Sequence, residues 1–135
     1  LDHVYPGLAD TGAHIGQICD ADATTHYLQY WYRTRGVVTL PQAIRKLTKM
    51  PAEVLGLQKR GTLEVGHFAD INVFDPQTVA SGQPTYVNDF PDQTGRLFIK
   101  SRGYAATIVN GAIVTEQGTH TGARPGRVIR EFARA

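Results

Sequence analysis

The sequence predicts an α+β chain in which helices come first and antiparallel strands follow. Helical signals fill the stretch from Leu1 to about Gln58, whereas short apolar runs bounded by turn-forming residues begin after Gly61. Apolar residues make up 41% of the 135 residues and charged residues 19%, which is typical of a globular chain rather than a disordered one. We therefore expect a helical part over residues 1–58 and a strand-rich part over residues 59–135.

Three helices are predicted in the first part. The first spans about residues 23–35, where aromatic and aliphatic side chains share one face at helical spacing, and Gly36 favours its end. Thr39 is a typical N-cap for the second helix, whose first turn also accepts the proline found there. A third, short helix is expected to open at Pro51 and to end at Gly56.

The second part is expected to contain short strands between turns. Residues 69–74 lie between turn signals and favour a strand. The clearest hairpin covers residues 104–115, because Asn110-Gly111 accepts the positive φ angles of a type I′ turn and β-branched residues flank it. Residues 81–94 are polar and rich in turn formers, so we expect a surface loop there. About three strands are too few to close a sandwich, so this sheet is expected to lack partners.

The composition excludes several classes of protein. The formal net charge is only +2, and the single cysteine, Cys19, allows neither an internal disulfide nor a cysteine-rich zinc site. No apolar run approaches the roughly 20 residues of a membrane helix, and no basic-then-apolar leader is visible. We therefore expect no membrane partner and a cytoplasmic location. The chain begins at Leu1 and has its sole methionine at Met50, which leaves open that it is the C-terminal piece of a larger protein.

The C-terminal tail carries four arginines: Arg124, Arg127, Arg130 and Arg134. If the tail is helical, the last three line one face and apolar side chains can pack on another. A nucleic-acid module needs more basic residues, with exposed aromatic side chains interleaved among them. We therefore expect an amphipathic tail that docks on its own protein, and no nucleic-acid partner.

Candidate chemistry is concentrated near the start of the chain, in the segment Asp10-Thr11-Gly12-Ala13-His14. A carboxylate at the end of a strand, followed by a Gly-rich turn, is where barrel enzymes place reacting groups. Asp10 is therefore a candidate general base or metal ligand, and His14 is a candidate for orienting a substrate. The alternative from local sequence alone is that Asp10 caps the turn and that His14 is a surface residue.

Other chemical interpretations of this region are weaker. Asp20 and Asp22 lack the remaining positions of an EF-hand, so helix capping is the expected role, and no H-x-H or H-E-x-x-H motif supports a self-contained metal site. The triplet Asp10-Thr11-Gly12 also occurs in homodimeric aspartic proteases, where two carboxylates share a proton and activate water. That interpretation needs a mostly β chain, whereas the middle of this chain is predicted to be helical.

Short motifs recur in a fixed order through nearly the entire chain. They are the Asp10-x-Gly12-Ala13-His14 turn, Leu47-Thr48 before Pro51-Ala52, the Gly66-x-x-Ala69-Asp70 turn, Val109-Asn110-Gly111, and Thr121-Gly122-Ala123-x-Pro125-Gly126-Arg127. In this order and spacing they resemble the C-terminal third of the amidohydrolase superfamily. Within it, the resemblance is to the N-acyl-D-amino-acid deacylase (D-aminoacylase) branch, also called the amidohydrolase 3 group.

The resemblance implies a particular architecture. The family fold is a (β/α)8 barrel with a small composite β-sandwich assembled from strands at both ends of the chain. Residues 1–58 would then hold the end of the last barrel strand and its trailing helices. Residues 59–135 would hold the C-terminal share of the sandwich, so the chain would be a fragment of the full fold.

The resemblance also implies hydrolysis of the amide bond of N-acyl-(D-)amino acids or related C–N substrates. In this branch a divalent metal, typically zinc, polarises the scissile carbonyl and lowers the pKa of a water molecule. Asp10 matches the family aspartate that takes the proton of that water and touches the metal as a weak ligand. His14 matches a residue of the same turn and is a candidate for substrate contact.

The other metal ligands of the family would lie upstream of Leu1, so we expect the isolated chain to be inactive and to bind no zinc by itself. Its partners would be an N-acyl amino acid substrate and either the N-terminal part of the same enzyme or a second copy, because unpartnered apolar surface needs cover. Because the other metal ligands are absent from this sequence, an alternative interpretation stays open, in which the chain is a non-catalytic binding or interaction domain.

Overall fold

The structure is a computed structural model that describes residues 3–7, 14, 16–17 and 19–133. Helices precede antiparallel strands along the chain, as the α+β prediction requires. Within the described part of the chain, every helix is too short or too polar to cross a membrane. The helices form one layer, and the strands form a four-stranded sheet and a separate two-stranded ribbon.

The helices lie where the sequence places them, with one change of type. The first begins as α1 (Ala23–His26) and continues directly as a π-helical stretch (Tyr27–Thr34). Two further helices follow, α2 (Leu40–Leu47) and α3 (Lys49–Val54). The sequence predicted the first helix as a whole but not its π-helical part, in which the Arg35 N–H donates to the Tyr30 carbonyl five residues earlier, 2.8 Å away.

Local chemistry explains the ends of these helices. Thr39 caps α2 in a capping box: its hydroxyl accepts from the Gln42 N–H at 3.4 Å, and the Gln42 side chain accepts from the Thr39 N–H at 2.8 Å. Gly56 follows α3 with φ +66°. The prediction that α3 opens at Pro51 was wrong by two residues, because proline is tolerated within a first turn, where its missing N–H costs nothing.

Six strands are present in the described residues: β1 (Ile71–Phe74), β2 (Thr85–Val87), β3 (Arg96–Phe98), β4 (Tyr104–Val109), β5 (Ala112–Glu116) and β6 (Thr119–His120). The four-stranded sheet has the order β1-β4-β5-β6, and every neighbouring pair in it is antiparallel. The predicted hairpin is β4–β5, with Asn110 at φ +47° and Gly111 at φ +83°, as a type I′ turn requires.

The ribbon β2–β3 corrects one prediction. Residues 81–94 were expected to be a surface loop, but they contain β2 and a 3₁₀-helix at Pro91–Gln93. Each element is only three residues long, so neither leaves a periodic pattern that sequence reasoning can recognise.

The helices pack on a narrow platform that we call the floor, formed by residues 75–81 and 101–104. The two floor segments are joined by paired hydrogen bonds between Ala80 and Arg102, at 2.9 and 3.1 Å, and by the Asp75 N–H to the Gly103 carbonyl at 2.9 Å. The buried core joins Leu28 and Ala43 of the helices to Val79 of the floor. The floor is therefore the base on which the helical layer rests.

One face of the four-stranded sheet has little cover. Cross-strand partners Ile71–Ile108, Val73–Ala106 and Ile108–Ile113 bring aliphatic side chains to the same face. Val73 is nevertheless 47% exposed and Ile113 is 43% exposed. The central strand β4, which has neighbours on both sides, contains no buried residue. We call the set Ile71, Val73, Ala106, Ile108 and Ile113 the open face.

The C-terminal tail forms neither a helix nor a strand over residues 121–133. Thr121 holds its start to β5, with its N–H donating to the Val114 carbonyl at 3.0 Å and its hydroxyl to the Ile113 carbonyl at 2.6 Å. Further along, the Asn110 side-chain amide donates to the Pro125 carbonyl at 2.8 Å, and the Ala133 N–H donates to the Gly56 carbonyl at 2.8 Å. Val128 and Phe132 remain exposed. Arg134 lies outside the described residues.

Candidate functional site

The predicted catalytic turn is described only in part. Asp10 and the adjoining residues Thr11, Gly12 and Ala13 lie outside the described residues, so its predicted roles as base and weak metal ligand stay predictions. His14 is exposed and has φ +51°. Its carbonyl accepts the Gln17 N–H at 2.7 Å, which forms a tight turn. The imidazole is thus accessible to solvent, and its expected contact with substrate remains a prediction.

The acidic residues between this turn and α1 contribute backbone caps. Asp22 occupies the N-cap position of α1, but its carboxylate makes no capping hydrogen bond. The Asp20 carbonyl instead accepts from the Ala23 N–H at 3.1 Å, and the Asp22 carbonyl accepts from the His26 N–H at 2.7 Å. The prediction that an aspartate occupies the N-cap position of α1 is confirmed. The cap is made by backbone carbonyls, however, and not by the Asp22 carboxylate.

The described residues do not by themselves fit a catalytic zinc ion. A catalytic zinc site needs about three protein ligands from His, Cys, Asp or Glu. Nowhere in the described part of the chain do three such side chains come together.

Three polar side chains of the first helix bind the floor: Thr25, Gln29 and Arg33. The Gln29 side-chain oxygen accepts from the Ser81 N–H at 2.9 Å. Arg33 Nη1 donates to the carbonyls of Val79 at 2.5 Å and Pro76 at 3.2 Å. Sequence reasoning missed these residues, although their spacing of four was a detectable signal.

The Thr25 hydroxyl completes this interface on the other floor segment. It lies 2.9 Å from the Tyr104 hydroxyl and accepts from the Ser101 hydroxyl at 3.2 Å. Thr25 is 4% exposed, so its hydroxyl is removed from water and needs such partners. The helix that follows the candidate turn is thereby fixed to the floor along its length.

The Gly66-x-x-Ala69-Asp70 motif has a structural role. The Asp70 carboxylate forms an ion pair with Arg60 and accepts the Asn110 N–H at 2.8 Å. Arg60 also donates to the Asn110 side-chain oxygen at 3.1 Å and stacks over the Phe68 ring at 4.1 Å. These contacts join the loop after α3, the start of β1 and the tip of the β4–β5 hairpin, far in sequence from the candidate turn.

Arg96 lies at the start of β3 in the ribbon. Its guanidinium binds the Asp89 carboxylate through two hydrogen bonds of 2.8 and 2.7 Å. These bonds lower the pKa of Asp89 and raise that of Arg96 from their usual values. The bidentate pair uses the Nε and Nη2 donors of Arg96 and balances the guanidinium charge within the ribbon.

A groove of about 830 Å³, partly open to solvent, lies between the helical layer and β1, and we call it the groove. Its apolar lining includes Leu28, Leu40, Ile44, Ile71, Phe74 and Tyr104. Ile71 belongs both to this groove and to the open face, so the two apolar surfaces are continuous.

Comparison with known proteins assigns the chain to a family. Residues 2–115 match the Amidohydrolase family, and the chain therefore belongs to it. The chain is 36% identical over 106 residues to a D-aminoacylase from Alcaligenes xylosoxydans xylosoxydans, covering 78% of this chain and 20% of that protein. It is 38% identical over 109 residues to an N-acyl-D-glutamate deacylase of the same organism, covering 81% of this chain and 20% of that protein.

The structural comparison agrees. The chain matches the crystal structure of an N-acyl-D-glutamate deacylase from Bordetella bronchiseptica with a TM-score of 0.62 and 38% identity. The match covers 79% of this chain and 20% of that chain, and that structure holds zinc and a phosphonate inhibitor that mimics the tetrahedral intermediate. The chain thus spans about a fifth of the length of the relatives it matches. The predicted family resemblance is confirmed, and it excludes the aspartic-protease interpretation.

Proposed function

We propose that this chain supplies the C-terminal part of a metal-dependent amidohydrolase that hydrolyses the amide bond of N-acyl-D-amino acids or related C–N substrates. The observation that carries the proposal is the agreement of sequence and fold with deacylases of this type, at 36–38% identity over about four fifths of the chain. Relatives with other names, the dihydroorotases and D-hydantoinases, match shorter stretches of 40 to 90 residues.

In this proposal Asp10 is the general base. Its carboxylate takes a proton from the water that attacks the scissile carbonyl, and it returns one to the nitrogen of the leaving amine as the C–N bond breaks. His14, accessible to solvent a few residues later, contacts the substrate. Both assignments follow from the match between this turn and the family motif.

Zinc is the cofactor that we propose for the whole enzyme, since a related deacylase structure contains it. Asp10 would contribute one weak ligand. The other ligands would come from polypeptide outside this chain, as the resemblance to the family implies. Among the described residues, no three potential ligand side chains come together. The chain alone is therefore expected to bind no catalytic zinc and to be inactive.

We further propose that residues 1–58 end a (β/α)8 barrel and that residues 59–135 form part of a composite β-sandwich. The open face supports this, because the central strand of a complete domain normally carries buried side chains, and β4 carries none. The groove and the open face would contact the N-terminal part of the same enzyme or, in the isolated chain, a second copy. Size-exclusion chromatography with mass measurement tests this, and a compact monomer would count against it.

The decisive experiment assays a longer polypeptide that contains this chain, loaded with zinc, on N-acyl-D-glutamate and other N-acyl-D-amino acids. Release of the free amino acid is expected, with the matching L-substrates as controls. Asp10→Asn should lower kcat by about a thousandfold, within the usual range for loss of a general base. Zinc content is measured in parallel, since retained metal with lost turnover assigns the effect to the base.

The isolated 135-residue chain is the matched control. With added zinc it should release no amino acid from the same substrates. Turnover by this chain alone would contradict the proposal that the remaining ligands lie elsewhere. If the longer polypeptide binds N-acyl amino acids but turns none of them over, the non-catalytic binding domain replaces the enzyme.

A further inference from the structure

The tip of the β4–β5 hairpin is hydrogen-bonded to three other segments of the chain. The Asn110 N–H donates to the Asp70 carboxylate at 2.8 Å, and the Asn110 side-chain oxygen accepts from Arg60 at 3.1 Å. The Asn110 side-chain amide donates to the Pro125 carbonyl at 2.8 Å. We call Arg60, Asp70, Asn110 and Pro125 the clasp. It joins the hairpin tip to the loop after α3, to the residue before β1 and to the C-terminal tail.

The turn itself does not require an asparagine with these contacts. The turn between β5 and β6 also has two residues, Gln117 at φ +47° and Gly118 at φ +75°. These angles nearly equal the +47° of Asn110 and the +83° of Gly111. A hairpin turn of this kind needs positive φ at both positions, and a glutamine meets that need here. The bonds of the Asn110 side chain are therefore additional to turn formation.

Asn110-Gly111 is the only Asn-Gly pair in the sequence, and such a pair has its own chemistry. Because glycine has no side chain to block the approach, its backbone nitrogen can attack the side-chain carbonyl carbon Cγ of the asparagine. A bond forms between this nitrogen and Cγ, the bond from Cγ to Nδ2 breaks, and ammonia leaves with the proton of the glycine N–H. Water then opens the five-membered imide ring and leaves aspartate or isoaspartate. The net reaction consumes a water molecule and releases ammonia.

The clasp engages the groups that would have to react. The Gly111 N–H donates to the Ala69 carbonyl at 3.0 Å, and the side-chain amide of Asn110 is bonded at both its oxygen and its nitrogen. Attack requires Cγ to turn towards the Gly111 nitrogen, which breaks these bonds. Deamidation should therefore proceed mainly from molecules in which the clasp has opened locally.

The product of the reaction cannot restore the bond to the tail. A carboxylate at this position is only an acceptor, so it offers no donor to the Pro125 carbonyl and places two oxygens face to face. Arg60 can still donate to the new carboxylate, so the loss falls on the tail. We propose that Asn110 is a deamidation site that the clasp protects, and that its deamidation releases the tail from the hairpin tip. This proposal does not depend on the proposed amidohydrolase function.

The first experiment measures the protection in the 135-residue chain. Peptide mass spectrometry follows the mass gain at Asn110 during incubation in neutral buffer, for the folded chain and for the chain unfolded in guanidinium chloride. The folded chain should react at least about tenfold more slowly. Arg60→Ala should react severalfold faster than the unmodified folded chain, whereas the control Arg35→Ala, at an exposed arginine outside the clasp, should not. Equal rates in folded and unfolded chains would overturn the protection, and so would equal rates in the two variants.

The second experiment measures release of the tail. Asn110→Asp reproduces one product of deamidation, and Asn88→Asp makes the same charge change at an exposed asparagine elsewhere. Trypsin cleavage after Arg127 reports on the tail, since this exposed residue lies between the bonded positions Pro125 and Ala133. Asn110→Asp should speed this cleavage about tenfold, and Asn88→Asp should leave it unchanged. If both variants are cleaved at the rate of the unmodified chain, deamidation does not release the tail and the proposal fails.

The two hairpin turns provide a separate test, in which the expected effects have opposite signs. Gln117→Gly relieves the strain of positive φ and should raise the urea midpoint of unfolding. Asn110→Gly relieves the same strain but removes the side-chain bonds of the clasp, so it should lower the midpoint. A raised midpoint in both variants would show that the Asn110 side chain holds nothing together, and the clasp would be overturned.

Discussion

The helix–floor interface and the open face of the sheet are two apolar regions of the same chain with opposite degrees of cover. At the interface Val79 and Ala43 are fully buried, and polar groups such as Thr25 are paired by hydrogen bonds. On the open face Val73 is 47% exposed and Ile113 is 43% exposed, although both strands are hydrogen-bonded to β4 within the sheet.

The contrast shows which contacts this chain completes by itself. Strand pairing satisfies backbone hydrogen bonds locally, but a sheet face is buried only when another layer packs on it. At the helix–floor interface, both of the layers that pack together belong to this chain. On the open face, the chain supplies the sheet but no layer that packs on it. Stability should therefore depend mainly on the interface, and the open face should gain importance only when further polypeptide covers it.

The largest effect is expected from Gly103→Ala in the floor. The new Cβ would lie 2.5 Å from the Val79 backbone, and φ +85° strains any side chain. We expect a loss of about 4 kcal/mol or failure to fold, measured by urea unfolding and soluble yield. Gly111→Ala is the control, because it has φ +83° but nothing within 4 Å. It should cost only about 1 kcal/mol, and equal losses would show that backbone strain alone is responsible.

An intermediate effect is expected from Val79→Ala, which removes two methyl groups from a fully buried position. A loss of about 2 kcal/mol in unfolding free energy follows from reduced burial and the cavity left behind. Ile113→Ala on the open face should cost less than about 1 kcal/mol in this chain, since the side chain is already 43% exposed.

The same Ile113→Ala substitution, made in a longer polypeptide, tests whether upstream residues cover the open face. If upstream polypeptide packs on the open face, the cost of this substitution should rise to about that of Val79→Ala. An unchanged small cost in the longer polypeptide would show that the open face is a true solvent surface.

The smallest effect concerns pH and Asp75, at the edge of the floor. Hydrogen bonds from the Gln77 N–H and the Thr78 hydroxyl, together with the nearby Arg33 charge, lower the pKa of Asp75 below its usual 3.8. Its contribution is therefore fully present above the unfolded value and is lost as the pH falls through the folded pKa.

Asp75→Asn tests this contribution in urea titrations. The variant should be slightly less stable than the unmodified chain at about pH 7, and the difference should shrink under acid conditions below the folded pKa. Asp92→Asn, which changes an exposed carboxylate outside the floor, serves as the control. A difference that persists in acid would point to a cause other than the charge of Asp75.

Local patterns predicted the helices and the clearest hairpin because their signals are confined to a few neighbouring residues. Thr39 caps α2 through Gln42, and Asn110-Gly111 forms the turn between β4 and β5, as expected. The ribbon β2–β3 was missed, since three-residue strands depend on their partner rather than on periodicity. The course of the C-terminal tail was likewise outside local prediction, because Gly56 and Asn110 hold it from distant parts of the sequence.

The sequence by itself determined the order of helices and strands, the family, and the candidate turn at Asp10 and His14, because these depend on short-range spacing and on motif order. Only the tertiary structure decided that the first helix widens into a π-helix and that Thr25, Gln29 and Arg33 meet the floor. The physical reason is that these side chains gain partners from segments 43 to 79 residues away only after folding has brought them together.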